Sequence, residues 1–497
     1  MFIPKATVAG SICLVALLLA GTTQTASAAT LPLHSNGSLG ALSPGEDVEF
    51  NTDTGSFRVG ADIFSGGRVV TVFARVIPVE VMAFDFTVIT IPAGVTVSAI
   101  GSRPLVLLAR HAVTVNGVVE VSGDRGADGG PSSGGGGAGG GAGLGIFGDS
   151  IFVGPTGQIL ARGGDGGLSS QISPVALQQP QGGQPGSGKG GGGDGGRGGN
   201  PRNGGQGGSG STNPGGGGGG GAAYGGAPGP GGANGDLIVL GGPTPNAGKG
   251  AQGGACPTLI KGGDGGAGLN VVFLGFIPAG TGGSGGSGGA PDGGPGVSGN
   301  VDQAATTGGS GGGGGGGAIS GGPGGAGGVG GSGAGGGGGG GGADNCQAGG
   351  PGGGGGGGAP GGGTFDIHKF IELLRLLKAG GLHLPGFLQR LADTPLDNLQ
   401  PKQGNPSSTQ GKGGSGGGGA IHLGAASDSV ENQGRISVAG GASGDSGVIG
   451  VFGQFVNSGT ADGEVFQSDG LRRNLWFIGG GGGGGGAGGD GSGGQTS

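Results

Sequence analysis

Apolar and polar residues alternate in short runs along the first quarter of the chain, and each run stops at a turn former. Val69-Val70-Thr71-Val72-Phe73, Phe84-Asp85-Phe86-Thr87-Val88-Ile89 and Val95-Thr96-Val97 are rich in β-branched and aromatic side chains, with Gly66-Gly67 and Pro92-Ala93-Gly94 between them. Period-two runs of this kind predict strands. Residues 29–122 are the one long stretch of ordinary composition and can bury a side-chain core.

A paired unit then recurs. Val113-Thr114-Val115 alternates, Asn116-Gly117 turns, and Val119-Glu120-Val121 alternates again before Gly123. The pattern returns as Ile151-Phe152-Val153, a turn through Gly157 and Ile159-Leu160-Ala161, then as Ile421-His422-Leu423, a longer turn through Gly434 and Ile436-Ser437-Val438. Leu237-Ile238-Val239-Leu240 is a further strand candidate. Short apolar pairs joined by glycine turns predict strands stacked coil on coil. The expectation is an all-β protein, a parallel β-helix or solenoid begun by residues 45–122 and resumed at 415–456. On this reading Val119, Ile159 and Ile436 share one buried stack.

Between these parts the pattern disappears. Glycine accounts for 158 of 497 residues and proline for 28, and most of the glycine lies in 123–363. A collagen triple helix is excluded, because runs such as 336–342 break the three-residue period and proline is sparse. Such composition either forms flexible low-complexity chain or packs as extended three-residue-per-turn chains that pair backbone to backbone, the polyglycine-II arrangement. In the second case Asp165, Asp194 and Asp264, in GGDGG tracts, point outward. Both readings stay open from sequence.

One island is helical. Ile367, Phe370, Ile371, Leu374 and Leu377 fall on one face, Asp366 and Lys378 suit the helix dipole, and Gly380-Gly381 ends the run. It reads as a helical flap over the strand stack. The organisation expected is therefore a signal peptide at 1–28, a β-rich domain with the first coils at 29–122, a glycine-rich region with sparse strands at 123–363, a helical insert at 364–402, returning coils at 403–478 and a glycine-rich tail at 479–497.

The leader reading rests on Lys5, the apolar stretch from Ala6 to Ala20, and Ala26-Ser27-Ala28 as a small-residue cleavage site. It predicts a secreted or cell-surface protein with its mature start at or near Ala29, and no membrane-spanning segment afterwards. Cys13 lies inside the leader. The remaining cysteines, Cys256 and Cys346, can pair in an oxidising compartment. The loop closed would be about 90 residues, enough to contribute roughly 4 kcal/mol.

Net charge is −7 and charged residues are 10% of the chain, which gives no electrostatic basis for binding nucleic acid. No catalytic, cofactor or metal site emerges. The best polar cluster is Asp124, Arg125 and Asp128, read as a polar turn. His368 and Glu372 share a helical face but lack a third ligand. A single Tyr and a single Trp argue against aromatic sugar platforms.

With Ile91-Pro92-Ala93-Gly94-Val95-Thr96-Val97, Arg103-Pro104-Leu105-Val106-Leu107 and Val113-Thr114-Val115-Asn116-Gly117 running into glycine-rich chain, the sequence resembles secreted glycine-rich surface proteins of bacteria over 85–165 and 415–456. The glycine tracts are similar to polyglycine-II bundles of some phage adhesin tips and of a glycine-rich arthropod antifreeze protein. The resemblance implies a surface location and little chemistry. The function expected is a non-catalytic surface or matrix structural protein acting as an adhesin toward an unknown surface component. The alternatives are a β-helix carbohydrate-active enzyme and an ice- or hydrated-surface-binding protein.

Overall fold

A computed structural model describes residues 35–74, 77–128, 137–168, 184–188, 194–197, 206, 208, 238–239, 242–243, 375–376, 378–379, 415–442 and 446–468. These residues are mostly strand. Helix is confined to 375–376 and 378–379, so the rest of the expected helical insert lies outside the described residues. The expected leader, Cys256, Cys346, His368, Glu372 and Asp264 lie outside them too.

The first strands are β1 (Ala41–Leu42), β2 (Val48–Asn51), β3 (Ser56–Val59), β4 (Asp62–Ser65), β5 (Arg68–Ala74) and β6 (Ile77–Phe86). They are followed by β7 (Val88–Ile91), β8 (Thr96–Ile100), β9 (Leu105–Ala109), β10 (Val113–Val115), β11 (Val118–Glu120), β12 (Gly143–Gly148), β13 (Ile151–Val153) and β14 (Gln158–Leu160). Beyond them come β15 (Ile238–Val239), β16 (Gly242–Pro243), β17 (Ala420–Asn432), β18 (Arg435–Ser437), β19 (Val448–Asn457), β20 (Thr460–Asp462) and β21 (Glu464–Ser468).

Two large curled sheets hold nearly all of them. An 11-stranded sheet runs β1-β7-β10-β13-β17-β12-β9-β6-β5, with β19 beside β17 and β21 beside β19. An 8-stranded sheet runs β20-β18-β14-β11-β8-β2-β3-β4. Both are mixed. The β2–β3, β3–β4 and β5–β6 pairs are antiparallel hairpins at one end, and β15–β16 is antiparallel. The other pairings are parallel.

Inward positions stack in register across the parallel pairs. In the 8-stranded sheet Val97, Val119, Ile159, Ile436 and Ala461 form one row, and Val119, Ile159 and Ile436 are buried. Ile89, Val113, Ile151, Val430 and Phe455 form another. These rows are the hydrophobic core. Period-two alternation explains it, since every second side chain points the same way.

One expected equivalence needs correction. Ile421-His422-Leu423 does not match Ile151-Phe152-Val153, and no long turn follows it. β17 is one continuous strand of 13 residues. Its first part pairs with β12, setting Ile421 beside Leu144, and its end pairs with β13, setting Val430 beside Ile151. The stretch expected as a longer turn through Gly434, Ala425-Ala426-Ser427-Asp428 included, is strand as far as Asn432. The chain stays in strand through this segment, with a register shift between Gly424 and Ser429 against β19.

Candidate functional site

The glycine segments leave and re-enter the strand stack at one place. The chain departs after β11, β14 and β18, neighbours in one sheet, and returns into β12, β17 and β19, which lie side by side in the other. The departing and returning segments therefore lie together.

Their hydrogen bonds change period. Val121 N–H donates to Leu160 C=O (2.8 Å) and Gly123 to Arg162 (2.9 Å), two residues apart as in a strand. The next bond is from Gly126 to Asp165 (3.0 Å), three residues on in both segments. Returning segments keep the step of three in the opposite direction. Gly139 donates to Asp124 (2.9 Å) and Ala142 to Val121 (3.0 Å); Gly416 donates to Gly164 (3.0 Å) and Gly419 to Ala161 (2.7 Å). Three residues per turn is the repeat of an extended left-handed chain, which bonds only to neighbours.

The segments are linked through one another. Gly441 N–H donates to Gly416, Gly416 to Gly164, Gly164 to Gly139 and Gly139 to Asp124. Gly137, Gly186, Gly195 and Gly196 extend the network. These backbone groups are thereby paired without a side chain. Glycine is required by proximity: a Cβ on Gly123, Gly164, Gly186, Gly416 or Gly441 would overlap a backbone carbonyl of another segment. None of these five has a left-handed φ.

Exposure follows the same period. Asp165 and Leu168 are exposed with Gly166 and Gly167 buried between them, and Asp194 and Arg197 are exposed around buried Gly195 and Gly196. Both aspartates face outward, and each carboxylate accepts a backbone N–H. Asp165 takes that of Ala442 (2.8 Å) and Asp194 that of Gly188 (2.8 Å).

The Asp124, Arg125 and Asp128 cluster lies exposed at the rim of this bundle. Asp128 accepts the Leu168 N–H (2.8 Å) and pairs with Arg125. The Leu168 bond, helped by Arg125, holds the Asp128 carboxyl below its ordinary value. A carboxylate bound to backbone in this way ties two segments together. Among the described residues no group of three or more His, Cys, Asp or Glu is placed to hold a metal ion, and no helix is long and apolar enough to cross a membrane.

His422 went unnoticed in sequence. It is fully buried in β17, on the side of the strand away from the core, with Gly145 and Gly450 as its register partners. Its ring stacks on Phe452 with centroids 6.1 Å apart. A Cβ on Gly450 would come within 2.7 Å of Nδ1, so glycine makes the slot. The signal was the alternation of glycine with apolar residues in Gly143–Gly148 and again around Gly450. Burial lowers the pKa of His422 from 6.5 to about 4. Between those values the unfolded chain binds a proton that the folded chain refuses. Stability is thus full above about pH 6.5 and falls as pH drops toward 4, by about 3 kcal/mol. Urea unfolding at pH 7 and pH 4.5 measures the loss, and His422→Leu is expected to remove most of the difference between the two.

No family model matches this chain, and neither a curated protein nor a solved structure matches it.

Proposed function

We propose that this chain is an exported, non-catalytic surface or matrix protein. Its strands wind as a parallel β-solenoid, and its glycine segments pack beside it as a polyglycine-II bundle. The in-register inward rows across successive parallel pairs support the solenoid. The antiparallel hairpins then close its first end. The observation that carries the functional reading is the three-residue hydrogen-bond step between segments that only glycine can bring so close. A chain that commits this much glycine to backbone pairing builds a stiff projection, which suits display and adhesion.

The exposed positions favour adhesion over ice binding. An ice face needs a flat array of small uncharged side chains, whereas the exposed sites here include Asp165, Leu168, Asp194 and Arg197. The carbohydrate-active alternative would need carboxylates free to act on substrate. Asp128, the leading candidate, is engaged by Leu168 and Arg125.

Retention of the purified protein on polysaccharide-coated and matrix-coated surfaces tests the proposal. The full chain is expected to bind, and a variant carrying Gly164→Ala and Gly416→Ala is expected to lose binding. Equal binding by both would remove the bundle from the function. Polysaccharide turnover abolished by Asp128→Asn would support the enzyme reading instead.

A further inference from the structure

Two sets of donors compete for the backbone carbonyls of the departing segments. In the parallel ladders each coil donates back to the one before it, Gln158 N–H to Gly117 C=O (2.9 Å) and Arg435 N–H to Gly157 C=O (2.9 Å). Continued at the same offset, the ladder assigns Arg162 N–H to Val121 C=O and Ala442 N–H to Gly164 C=O. Returning segments take both carbonyls instead: Val121 accepts from Ala142 (3.0 Å) and Gly164 from Gly416 (3.0 Å). A side chain one residue further along receives each displaced donor. Ser122 Oγ accepts the Arg162 N–H (3.1 Å), and the Asp165 carboxylate accepts the Ala442 N–H (2.8 Å).

Each substitute acceptor and its donor hold the same register position in successive coils. Ser122 and Arg162 are 40 residues apart, the offset of β14 from β11, and Asp165 and Ala442 are 277 apart, the offset of β18 from β14. Asp128 takes the Leu168 N–H at the same offset of 40. Asp53 takes the Ser102 N–H (2.9 Å) at 49, the offset of β8 from β2. That last pair lies where β8 passes to β9 through 101–104, with no glycine excursion. Glycine-rich chain specifies its register weakly, and these side chains carry the register of the strands out into it.

We propose that Ser122 and Asp165 are positioning residues for the glycine bundle: by taking the Arg162 and Ala442 amides they leave the Val121 and Gly164 carbonyls to the returning segments, 137–142 and 415–419. The inference rests on the bundle reading proposed above. Without these acceptors the two amides turn to the carbonyls that the ladder assigns them, and the returning segments are held less firmly. The Asp165 bond matters more, because a charge-assisted hydrogen bond is roughly twice as strong as a neutral one. A few polar residues, and not the glycines alone, then decide whether the bundle is seated on the strand stack.

Amide hydrogen exchange of the full chain tests this, because it reads local opening segment by segment. In the double variant Ser122→Ala and Asp165→Ala, amides over 137–142 and 415–419 are expected to exchange at least about tenfold faster, with those over 157–160 and 434–437 unchanged. Asp165→Ala alone is expected to speed exchange over 415–419. Asp165→Asn keeps an oxygen that accepts the same N–H and is expected to retain most of the protection there. Asp53→Ala removes the same kind of bond where no segment returns, and is expected to leave both returning segments as they are. Unchanged exchange over 137–142 and 415–419 in the double variant would overturn the proposal and leave the bundle standing. So would an equal loss of protection in the strands, or the same loss on Asp53→Ala. Fast exchange of both segments in the unsubstituted chain would overturn the bundle as well.

Discussion

Gly164→Ala and Gly416→Ala are each expected to destabilise the protein by about 3 kcal/mol, the upper part of the range for an overpacked interior. At an ordinary site the sign would be opposite. Removing a glycine stiffens the unfolded chain and stabilises by about 0.4–1 kcal/mol. Gly45 offers that comparison, because a Cβ there meets nothing within 4 Å and its φ is not left-handed. At Gly164 the obstacle is the carbonyl of Asp124, and at Gly416 that of Gly139. Each obstructing segment is itself hydrogen-bonded in the network, so neither can move without breaking other bonds. Urea midpoints for the three variants decide the matter. We expect Gly45→Ala to raise the midpoint and the other two to lower it sharply. A midpoint raised in all three would mean that the glycine segments do not pack in solution.

This contrast also explains how much the sequence disclosed. Strand positions were legible because a buried face repeats every two residues, and Val119, Ile159 and Ile436 carry that signal in their side chains. Glycine carries no such signal. The step from Gly123 to Gly126 is a matter of backbone geometry, and the same letters are compatible with a flexible linker. Only the sparse exposed residues hint at it: Asp165 with Leu168, and Asp194 with Arg197, are spaced by three. The extended path of β17 through Ala425-Ala426-Ser427-Asp428 was illegible for another reason. No period-two alternation of apolar residues marks them as strand, and the paired stretches before and after them, Ala420–Gly424 and Ser429–Asn432, carry the strand through. His422 was hidden because its burial depends on glycines in two other strands, Gly145 and Gly450, far apart in the chain.

Phe84→Ala is expected to cost about 3–5 kcal/mol, and Phe64→Ala about 1 kcal/mol, because nearly half of the second residue is already exposed. Phe50, Phe57 and Phe64 sit opposite one another across β2, β3 and β4, making a row of rings over the first end of the core. Phe50 and Phe57 pack at 5.2 Å between centroids and Phe57 and Phe64 at 5.1 Å, both stacked. Phe84 lies beneath, edge-on at 4.6 Å from Phe50 and 5.9 Å from Phe57, and is fully buried. Phe64 is 46% exposed at the outer strand. Removing Phe84 leaves a cavity under hairpins that cannot collapse into it, since Gly67 and the backbone of Gly55 already crowd the same place. Removing Phe64 uncovers one face of Phe57 and opens no cavity. The two variants therefore separate a closed, load-sharing aromatic end from a loosely attached hairpin. Equal costs would mean that β2–β3–β4 folds onto the stack as a detachable flap, and the first end would then need another cover.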